Sequence, residues 1–276
     1  MKNKIIVITG ATGVLMRTIA IALSKQGYRI AILARDMEKA ESLKIEIEHN
    51  GGEAYTFEAD VLKKESLEKA RLEMNSKMGT CDILINGAGG NHPLGTTSKP
   101  YLAAEDLDQN DGELKTFFDL ETEGIQSVFD LNFLGTFLPT QVFAKDMVGK
   151  DGCSVLNISS LSADRSLTKI PAYSAAKAAT SNFTQWLAVH FSKVGIRVNA
   201  VAPGFFLTTQ NEKLLTQEDG TLTSRGEAII ANTPAGRFGK PEDLISAVNF
   251  LCDDASAFVT GVVIPVDGGF SAFSGV

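Results

Sequence analysis

The sequence predicts an α/β fold in which a doubly wound, parallel sheet of about seven strands carries helices on both faces. Three observations support this prediction. Short apolar runs that suit buried strands alternate along the chain with longer segments of helical periodicity. A glycine-rich loop joins the first apolar run to the first helix. No linker, repeat or change of composition divides the 276 residues, so we expect a single domain over residues 1–276.

The composition is that of an ordinary globular protein, with 44% hydrophobic and 21% charged residues. A net charge of −7 argues against nucleic acid and anionic membranes as partners. No stretch reaches the roughly 18 uncharged apolar residues of a membrane span. Thr9 and Gly10 interrupt the apolar start, which favours a strand and loop over a signal peptide. The three isolated cysteines predict reduced thiols in the cytoplasm, with neither a disulfide nor a metal site.

The first strand, residues 4–9, leads into the loop Gly10-Ala-Thr-Gly13 and a helix over 14–25. This is the context of a dinucleotide site, because glycines let the backbone approach phosphates and a helix N-terminus offers free N–H groups to them. The residues expected at the cofactor here are Gly10, Thr12, Gly13, Val14 and Leu15. Met16 stands where a third glycine is expected, and it would push the helix outward or crowd the pyrophosphate.

The alternation then continues to the end of the chain. Further strands are expected over 29–34, 53–58, 81–85, 154–159, 196–201 and 262–266, and further helices over 37–50, 65–78, 122–148, 172–194 and 241–252. Two polar segments stand out: an inserted loop over 90–121, with a short helix near 102–107, and a partly helical substrate flap over 205–233. Loops of this length at the carboxyl end of a sheet are usually functional lids or disordered.

The end of the second strand bears on the choice of cofactor. An acidic residue there would bind the ribose hydroxyls of NAD, but this chain has Ala34 followed by Arg35. A guanidinium suits a 2′-phosphate, whereas Asp36 suits a helix cap. We therefore favour NADP(H) as the cofactor, with NAD(H) as the alternative. The alternative interpretation of Arg35 is a solvated surface charge that contacts no ligand.

A possible proton-transfer set follows the fifth strand. Ser160 precedes Tyr173 by 13 positions, and Lys177 follows that tyrosine by four, on the same face of the predicted helix. A nearby ammonium would lower the pKa of the phenol, and the serine hydroxyl would hold a substrate oxygen. The pair Tyr-x-x-x-Lys also occurs by chance, so its meaning depends on a cofactor site in front of it.

Taken together, these segments resemble the short-chain dehydrogenase/reductase superfamily over essentially the whole chain. The motifs that carry the resemblance are TGATG at 9–13, Asp60-Val61, NGAG at 86–89, Asn132, ISS at 158–160, YSAAK at 173–177, IRVNAVAPG at 196–204 and VDGG at 266–269. Each motif is a modest signal alone, but their order and spacing are highly specific. The resemblance implies a Rossmann-type fold and NAD(P)-dependent oxidoreductase activity.

The resemblance also implies roles for matching residues. Tyr173 would be the acid/base, and Lys177 would lower its pKa and hold the nicotinamide ribose. Ser160 would position the carbonyl, and Asn132 would support a water in the proton relay. Further cofactor contacts would come from Asp60 and Val61 at the adenine, from Asn86, Gly87, Ala88 and Gly89, and from Pro203, Gly204, Phe206 and Thr208, the last at the nicotinamide amide.

A narrower resemblance is to the fructuronate reductases (D-mannonate oxidoreductases) of this superfamily. It rests on a spacing of 46 positions between Asn86 and Asn132, longer than usual in the superfamily. It rests also on GAGGNHP at 87–93, LTKIPAYSAAKAA at 167–179, FTQWLAVHFSKVGIRVN at 183–199 and the ending GGFSAFSGV. The implied reaction is the reversible reduction of D-fructuronate to D-mannonate.

A sugar acid needs cations or donors for its carboxylate. Arg165 and Lys169 lie in the loop between Ser160 and Tyr173, and arginine suits a carboxylate through its planar fork. The residues we expect at the substrate are Asn91, His92, Ser160, Ser162, Arg165 and Lys169. The alternative for Asn91 and His92 is that they form a turn and contact no ligand. The alternative for Arg165 and Lys169 is that they are exposed charges of the loop.

Three other functions remain open at this point. They are reduction of another sugar acid or polyol, as in gluconate 5-dehydrogenase, reduction of a 3-oxoacyl thioester, and cofactor binding without turnover. The polar insertion and the net charge of −7 argue against an acidic carrier protein as partner. Trp186 and His190 share a helix face that suits a subunit contact, and the resemblance implies a homotetramer built on helices 122–148 and 172–194.

Overall fold

A computed structural model of the protein describes residues 3–108, 114–208 and 211–275. Its strands form one parallel sheet in the order β3-β2-β1-β4-β5-β6-β7. The strands are β1 (Ile5–Thr9), β2 (Arg29–Ala34), β3 (Glu53–Glu58), β4 (Ile83–Asn86), β5 (Cys153–Ile158), β6 (Ile196–Pro203) and β7 (Val263–Val266). The chain winds outward from β1 in one direction and then from β4 in the other, so the strand order switches between β1 and β4. The predicted Rossmann-type α/β fold is confirmed, and each strand lies within a residue or two of its expected place.

The described helices cover both faces of the sheet. They are α1 (Val14–Ser24), α2 (Met37–His49), α3 (Lys64–Lys77), α4 (Thr122–Phe129), α5 (Gly135–Phe143), α6 (Pro171–His190), α7 (Glu212–Leu215), α8 (Ser224–Ala231) and α9 (Ile245–Cys252). Within these residues, no helix is both long enough and apolar enough to cross a membrane.

Two hydrophobic cores lie on opposite sides of the sheet because successive strand side chains point to opposite faces. In β1, Ile6 and Ile8 belong to the core under α1, α2 and α9. Ile5 and Val7 belong to the core under α3, α5 and α6. Every residue of β1, β5 and β6 is buried, as expected for central strands covered on both faces.

The helix expected over 122–148 is interrupted, and this is the main correction to the predicted elements. A π-helical turn over Asp130–Leu134 separates α4 from α5, and a 3₁₀ turn over Ala144–Asp146 follows. Pro139 lies inside α5 and has no N–H to donate to the preceding turn. The Thr136 hydroxyl donates to the carbonyl of Asn132 at 2.9 Å. Apolar periodicity continues through the interruption, so the sequence pattern did not reveal it.

The other helices differ less from expectation. The helix α6 ends at His190, four residues before the expected end, and residues 241–244 form a 3₁₀ turn ahead of α9. In the flap, α7 and α8 flank a short antiparallel bridge between Thr216 and Leu222. Positions 209 and 210, which the flap prediction includes, lie outside the described residues.

The described parts of the inserted segment, 90–108 and 114–121, contain short 3₁₀ turns, and positions 109–113 of the predicted loop lie outside the described residues. The helix expected near 102–107 is a 3₁₀ turn over Ala104–Asp108, organised by an ion pair between Lys99 and Asp106 at 2.5 Å. The N–H of Thr97 donates to the carbonyl of Lys169 at 2.9 Å. The insertion is thereby joined to the loop that leads into α6.

Candidate active site

The first glycine loop lies against the end of β4. Gly10 has a φ of +65°, and a Cβ there would lie 2.8 Å from backbone atoms of Gly87 and Ala88, so this position requires glycine. The Thr9 hydroxyl accepts hydrogen bonds from the N–H groups of Gly87 and Ala88, at 3.1 and 3.2 Å. These contacts join the ends of β1 and β4 into one floor at the switch point of the sheet.

An open cleft of about 940 Å³ runs along the carboxyl ends of the strands. Of the residues expected at the cofactor or the reacting carbonyl, those in its wall are Gly10, Thr12, Gly13, Val14, Leu15, Arg35, Asp60, Val61, Gly87, Ala88, Gly89, Ser160, Tyr173, Lys177, Pro203, Gly204, Phe206 and Thr208. Glycines keep its floor low: a Cβ on Gly89 would lie 2.8 Å from Asn132 Oδ1 and 3.2 Å from Lys177 Nζ. With α1 beginning at Val14 beside it, the cleft fits an extended dinucleotide.

The β2 end of the cleft carries two cations. Arg35 is exposed in the wall and, among the described residues, its side chain makes neither a hydrogen bond nor an ion pair. Lys39, one helical turn later, also lines the cleft, and its ammonium lies 3.1 Å from Asp36. Asp36 caps α2 by accepting from the N–H of Lys39 at 3.1 Å. The carboxylate is therefore engaged at the helix end, while the guanidinium is free to meet an anion.

Met16 packs beneath the cleft and does not project across it. Its side chain is 4% exposed and belongs to the core under α1. A Cβ on Gly87 would lie 2.4 Å from its sulfur, so the absent side chain of Gly87 makes room for the methionine. The departure from glycine at position 16 is thus accommodated by glycine at position 87.

The side chain of Asn86 does not face the cleft, which corrects the predicted contact of this side chain with the cofactor. It is buried in the sheet, where its amide nitrogen donates to Thr140 Oγ1 and to Asn157 Oδ1, each at 2.9 Å. These bonds join β4 to β5 and α5. The position ends a strand whose next residues, from Gly87 onward, form the cleft floor.

Asn132 lies in the π-helical turn, fully buried behind the floor. Its amide nitrogen donates to the carbonyls of Gly90 and Val128 at 2.7 and 2.8 Å, and its Oδ1 accepts from the N–H of Gly90 at 3.2 Å. The side chain is therefore satisfied by protein groups, and the support of a relay water by Asn132 stays a prediction. Its visible effect is to hold the 89–90 backbone in place. π-helical turns inside α-helices often occur at functional sites.

Ser160, Tyr173 and Lys177 come together where β5 ends. Ser160 begins a 3₁₀ turn over Leu161–Ala163, and Tyr173 and Lys177 lie one turn apart on α6. Ser160 and Tyr173 both line the cleft, and the Ser160 side chain lowers the pKa of the Tyr173 phenol. The Lys177 ammonium lies 5.7 Å from the centre of the Tyr173 ring and donates to the carbonyl of Ile158 at 2.7 Å. A phenol, a hydroxyl and an ammonium thus share one end of the cleft.

Burial dominates the electrostatics of this set. It raises the pKa of Tyr173, against the hydrogen bond with Ser160, which lowers it. It lowers the pKa of Lys177 to about 8. The sequence predicts that the ammonium lowers the pKa of the phenol, but desolvation by burial is the largest effect on that pKa and raises it. Tyr173 therefore keeps its proton at neutral pH, as a proton donor requires.

The residues expected at the substrate lie outside the cleft wall, apart from Ser160. Asn91 donates to Thr96 Oγ1 at 2.9 Å, and His92 Nδ1 accepts from the N–H of Leu94 at 3.2 Å. Both side chains thus stabilise the turn that opens the insertion.

In the loop before α6, Ser162 is buried and donates to Ser160 Oγ at 3.0 Å. Arg165 is exposed, and its side chain has no partner among the residues that the structure describes. Lys169 has a φ of +73°, a left-handed conformation that is rare for lysine and places strain beside the site.

Sequence reasoning missed several residues of the cleft wall. They include Lys39, Gly90, Leu131, Ile158, Ser159 and Asn211. The spacing of Arg35 and Lys39, four positions apart around the start of α2, is the one signal that would have predicted Lys39. Asn211 donates to the carbonyl of Phe206 and accepts from the N–H of Thr208, both at 2.8 Å, and so shapes the loop after β6.

Comparison with known proteins agrees with this geometry. The family model described as short chain dehydrogenase matches residues 4–219. The chain is 53% identical to an uncharacterized oxidoreductase of Haemophilus influenzae, over 100% of this chain and 96% of the relative. It is 50% identical to the uncharacterized oxidoreductase UxuB of Bacillus subtilis, over 99% and 97%.

Two solved structures are informative. One, from Haemophilus influenzae with bound NAD, has the provisional name D-mannonate oxidoreductase; it is 53% identical, with a TM-score of 0.95 over 100% of this chain and 98% of that one. The other is a gluconate 5-dehydrogenase of Burkholderia cenocepacia with NADP and tartrate, 27% identical, with a TM-score of 0.83 over 99% and 96%. The chain belongs to the short-chain dehydrogenase family and is an NAD(P)-dependent oxidoreductase.

Proposed function

We propose that the enzyme reduces a keto sugar acid, D-fructuronate, to D-mannonate, and that it also catalyses the reverse oxidation. The observation that carries the proposal is the full-length similarity, at 53% identity and a TM-score of 0.95, to the structure provisionally named D-mannonate oxidoreductase. The motifs of the insertion and of the Tyr173 helix support the same substrate.

In this proposal Tyr173 donates a proton to the carbonyl oxygen while Ser160 holds that oxygen by a hydrogen bond. A bound nicotinamide supplies the hydride. The raised pKa of Tyr173 supports the reductive direction, because the phenol is protonated at neutral pH. Lys177 keeps a positive charge beneath the phenol and binds the ribose. Asn132 acts as a positioning residue through the backbone of Gly90.

The substrate carboxylate is assigned to Arg165, with Lys169 as the second cation. The exposed guanidinium of Arg165 lies five positions after Ser160 and has no ion-pair partner among the described residues, so it is available to a ligand. Arginine binds carboxylates through two parallel hydrogen bonds. Asn91 and His92 are proposed to line the rim of the substrate site from the insertion.

For the cofactor we favour NADP(H), with NAD(H) as the alternative. Arg35 and Lys39 line the β2 end of the cleft, and Asp36 is engaged by Lys39. A 2′-phosphate would meet two cations there. The NAD bound to the Haemophilus structure supports the alternative.

The test is oxidation of NADPH and NADH in the presence of D-fructuronate, 5-ketogluconate or an acetoacetyl thioester, with Tyr173→Phe as the inactive control. We expect turnover of D-fructuronate that Tyr173→Phe abolishes without loss of cofactor binding. Turnover of 5-ketogluconate alone would contradict the substrate and favour a gluconate 5-dehydrogenase, the second candidate, whose Burkholderia relative holds tartrate, a hydroxy acid. Turnover of the thioester alone would favour a 3-oxoacyl reductase.

We also propose that the enzyme assembles as a homotetramer and works in the cytoplasm. An aromatic face, defined as Phe133, Phe137, Phe183, Trp186 and His190, runs along α6, the start of α5 and the π-helical turn before it. Trp186 is 56% exposed, so a second copy of the chain would bury it. The free thiols of the three cysteines support a reducing compartment.

A further inference from the structure

Ser162 is buried beside the reacting groups and contacts one of them. It is 2% exposed and lies in the 3₁₀ turn that follows β5. Its backbone N–H and its hydroxyl both donate to Ser160 Oγ, at 3.2 and 3.0 Å. The side chain is therefore directed at Ser160 and not at the cleft, which corrects its expected contact with substrate.

These two bonds limit what Ser160 can do. A serine hydroxyl has two acceptor lone pairs and one donor proton. Ser162 occupies both lone pairs, so the only capacity left to Ser160 is donation. On the cleft side Ser160 acts on Tyr173, which lines the same cleft and whose pKa the Ser160 side chain lowers. Ser160 must then donate towards the place where the phenol oxygen and the carbonyl oxygen meet.

We propose that Ser162 is a positioning residue that makes the Ser160 hydroxyl an obligatory hydrogen-bond donor to the reacting oxygens. The inference rests on the proposed roles of Ser160 and Tyr173. A fixed donor stabilises negative charge that develops on the carbonyl oxygen or on the phenolate, and it needs no reorientation during the reaction. Ser160 keeps its own proton throughout, and the proton that reaches the product leaves Tyr173.

Removal of the Ser162 hydroxyl would free one lone pair on Ser160. Ser160 could then accept from the Tyr173 hydroxyl, which stabilises the neutral phenol, so the pKa of Tyr173 should rise. For Ser162→Ala we expect kcat to fall roughly tenfold, the effect of one hydrogen bond, with the Kd of the cofactor unchanged. Ser162→Cys nearly keeps the side-chain volume but has only a weak donor, so it should show the same defect. Ser162→Thr keeps the hydroxyl and should retain the wild-type kcat and Tyr173 pKa.

The matched control is Ser174→Ala. Ser174 follows Tyr173 on α6 and is also buried, but its hydroxyl has no hydrogen-bond partner among the described residues. The variant removes one buried hydroxyl beside the site without a contact to Ser160. It should leave kcat and the ionisation of Tyr173 as in the wild type.

The decisive measurement is the titration of Tyr173, taken as the difference in phenolate absorbance between each variant and its Tyr173→Phe counterpart. It needs no substrate. An upward shift in Ser162→Ala and Ser162→Cys, but not in Ser174→Ala, is the expected result. An unchanged titration would overturn the inference, even if kcat and Tm fell together. If the Tyr173 titration shifts as expected but the wild-type enzyme does not reduce D-fructuronate, the role of Ser162 is supported and the proposed substrate is wrong.

Discussion

Burial of Lys177 favours its neutral form, whereas the proposed mechanism requires the charged ammonium. The side chain is buried and donates to the carbonyl of Ile158, and burial lowers its pKa to about 8. The ammonium is charged below that pH and neutral above it. Its charge beneath Tyr173 is what the proposed mechanism requires, so the working range of the reductase should end where Lys177 loses its proton.

We therefore predict that kcat/KM for ketone reduction falls as the pH rises through about 8, since this parameter reports the ionisation of the free enzyme. Lys177→Met should be much less active at neutral pH and should lack this decline. Lys193→Met, at an exposed lysine after α6, is the control and should keep the wild-type profile. A wild-type profile that stays flat to pH 10 would contradict the assignment, because 10.4 is the ordinary lysine pKa.

Met16 and Gly87 form the second residue-scale contact that can be tested. Gly87→Ala would place a Cβ 2.4 Å from the Met16 sulfur and 2.8 Å from the carbonyl oxygen of Thr9. Met16→Ala would leave a cavity and cost about 2–5 kcal/mol of the free energy of unfolding. Met16→Ala removes the clash of the new Cβ with the Met16 sulfur and leaves the one with the Thr9 carbonyl oxygen. The double variant should therefore be about 1–2 kcal/mol more stable than the sum of the two single losses in the free energy of unfolding predicts.

The control for this cycle is Leu23→Ala combined with Gly87→Ala. Leu23 is fully buried on the same helix, but no Leu23 atom is among the nearest contacts of a Cβ at position 87. Denaturant unfolding should show additive effects in the control pair and a non-additive rescue in the Met16 pair. Additivity in both pairs would mean that glycine at 87 does not accommodate the methionine.

At the scale of elements, the junction of β2 and α2 is expected to select the cofactor. We predict that Arg35→Ala and Lys39→Ala each lower kcat/KM with NADPH by about tenfold or more, the effect of a charge-assisted hydrogen bond, and change the value with NADH little. Lys44→Ala is the matched control, because Lys44 lies on α2, pairs with Glu41 and is not part of the cleft wall. Equal losses with both cofactors would exclude a 2′-phosphate site.

The segment from α4 to α5 shows what element-scale prediction missed. Its apolar periodicity indicated one helix over 122–148, yet a π-helical turn carries Asn132. The turn shifts the helix register locally, so that the Asn132 amide reaches the backbone of Gly90 in the cleft floor. Periodicity is insensitive to a single inserted residue, whereas the side-chain direction depends on it.

At the scale of the whole molecule, the aromatic face predicts self-association. In it Trp186 stacks on Phe183 and on His190, with ring centres 6.3 and 4.6 Å apart. Trp186→Glu would place a charge in the proposed contact, so light scattering should show a particle smaller than the wild type. Leu72→Glu, at an exposed leucine on α3, should leave the mass unchanged. A monomeric mass for the wild-type protein would contradict the proposed tetramer.

The sequence by itself determined the fold class, the order of the strands and helices along the chain, and most of the cleft wall. It could do so because these depend on local signals. Buried parallel strands are continuous apolar runs, and the Gly10 loop follows the first of them directly. The carboxyl ends of parallel strands lie on one edge, so residues that follow the strands meet there.

Only the tertiary structure decided what each side chain near the cleft contacts. Asn86 is directed into the sheet, Ser162 is directed at Ser160, and Asn91 and His92 bond within their own turn. The pKa of Tyr173 also depends on burial, which a sequence position does not reveal. Side-chain direction and desolvation arise from packing between distant segments, and the space that Gly87 leaves for Met16 is one such case.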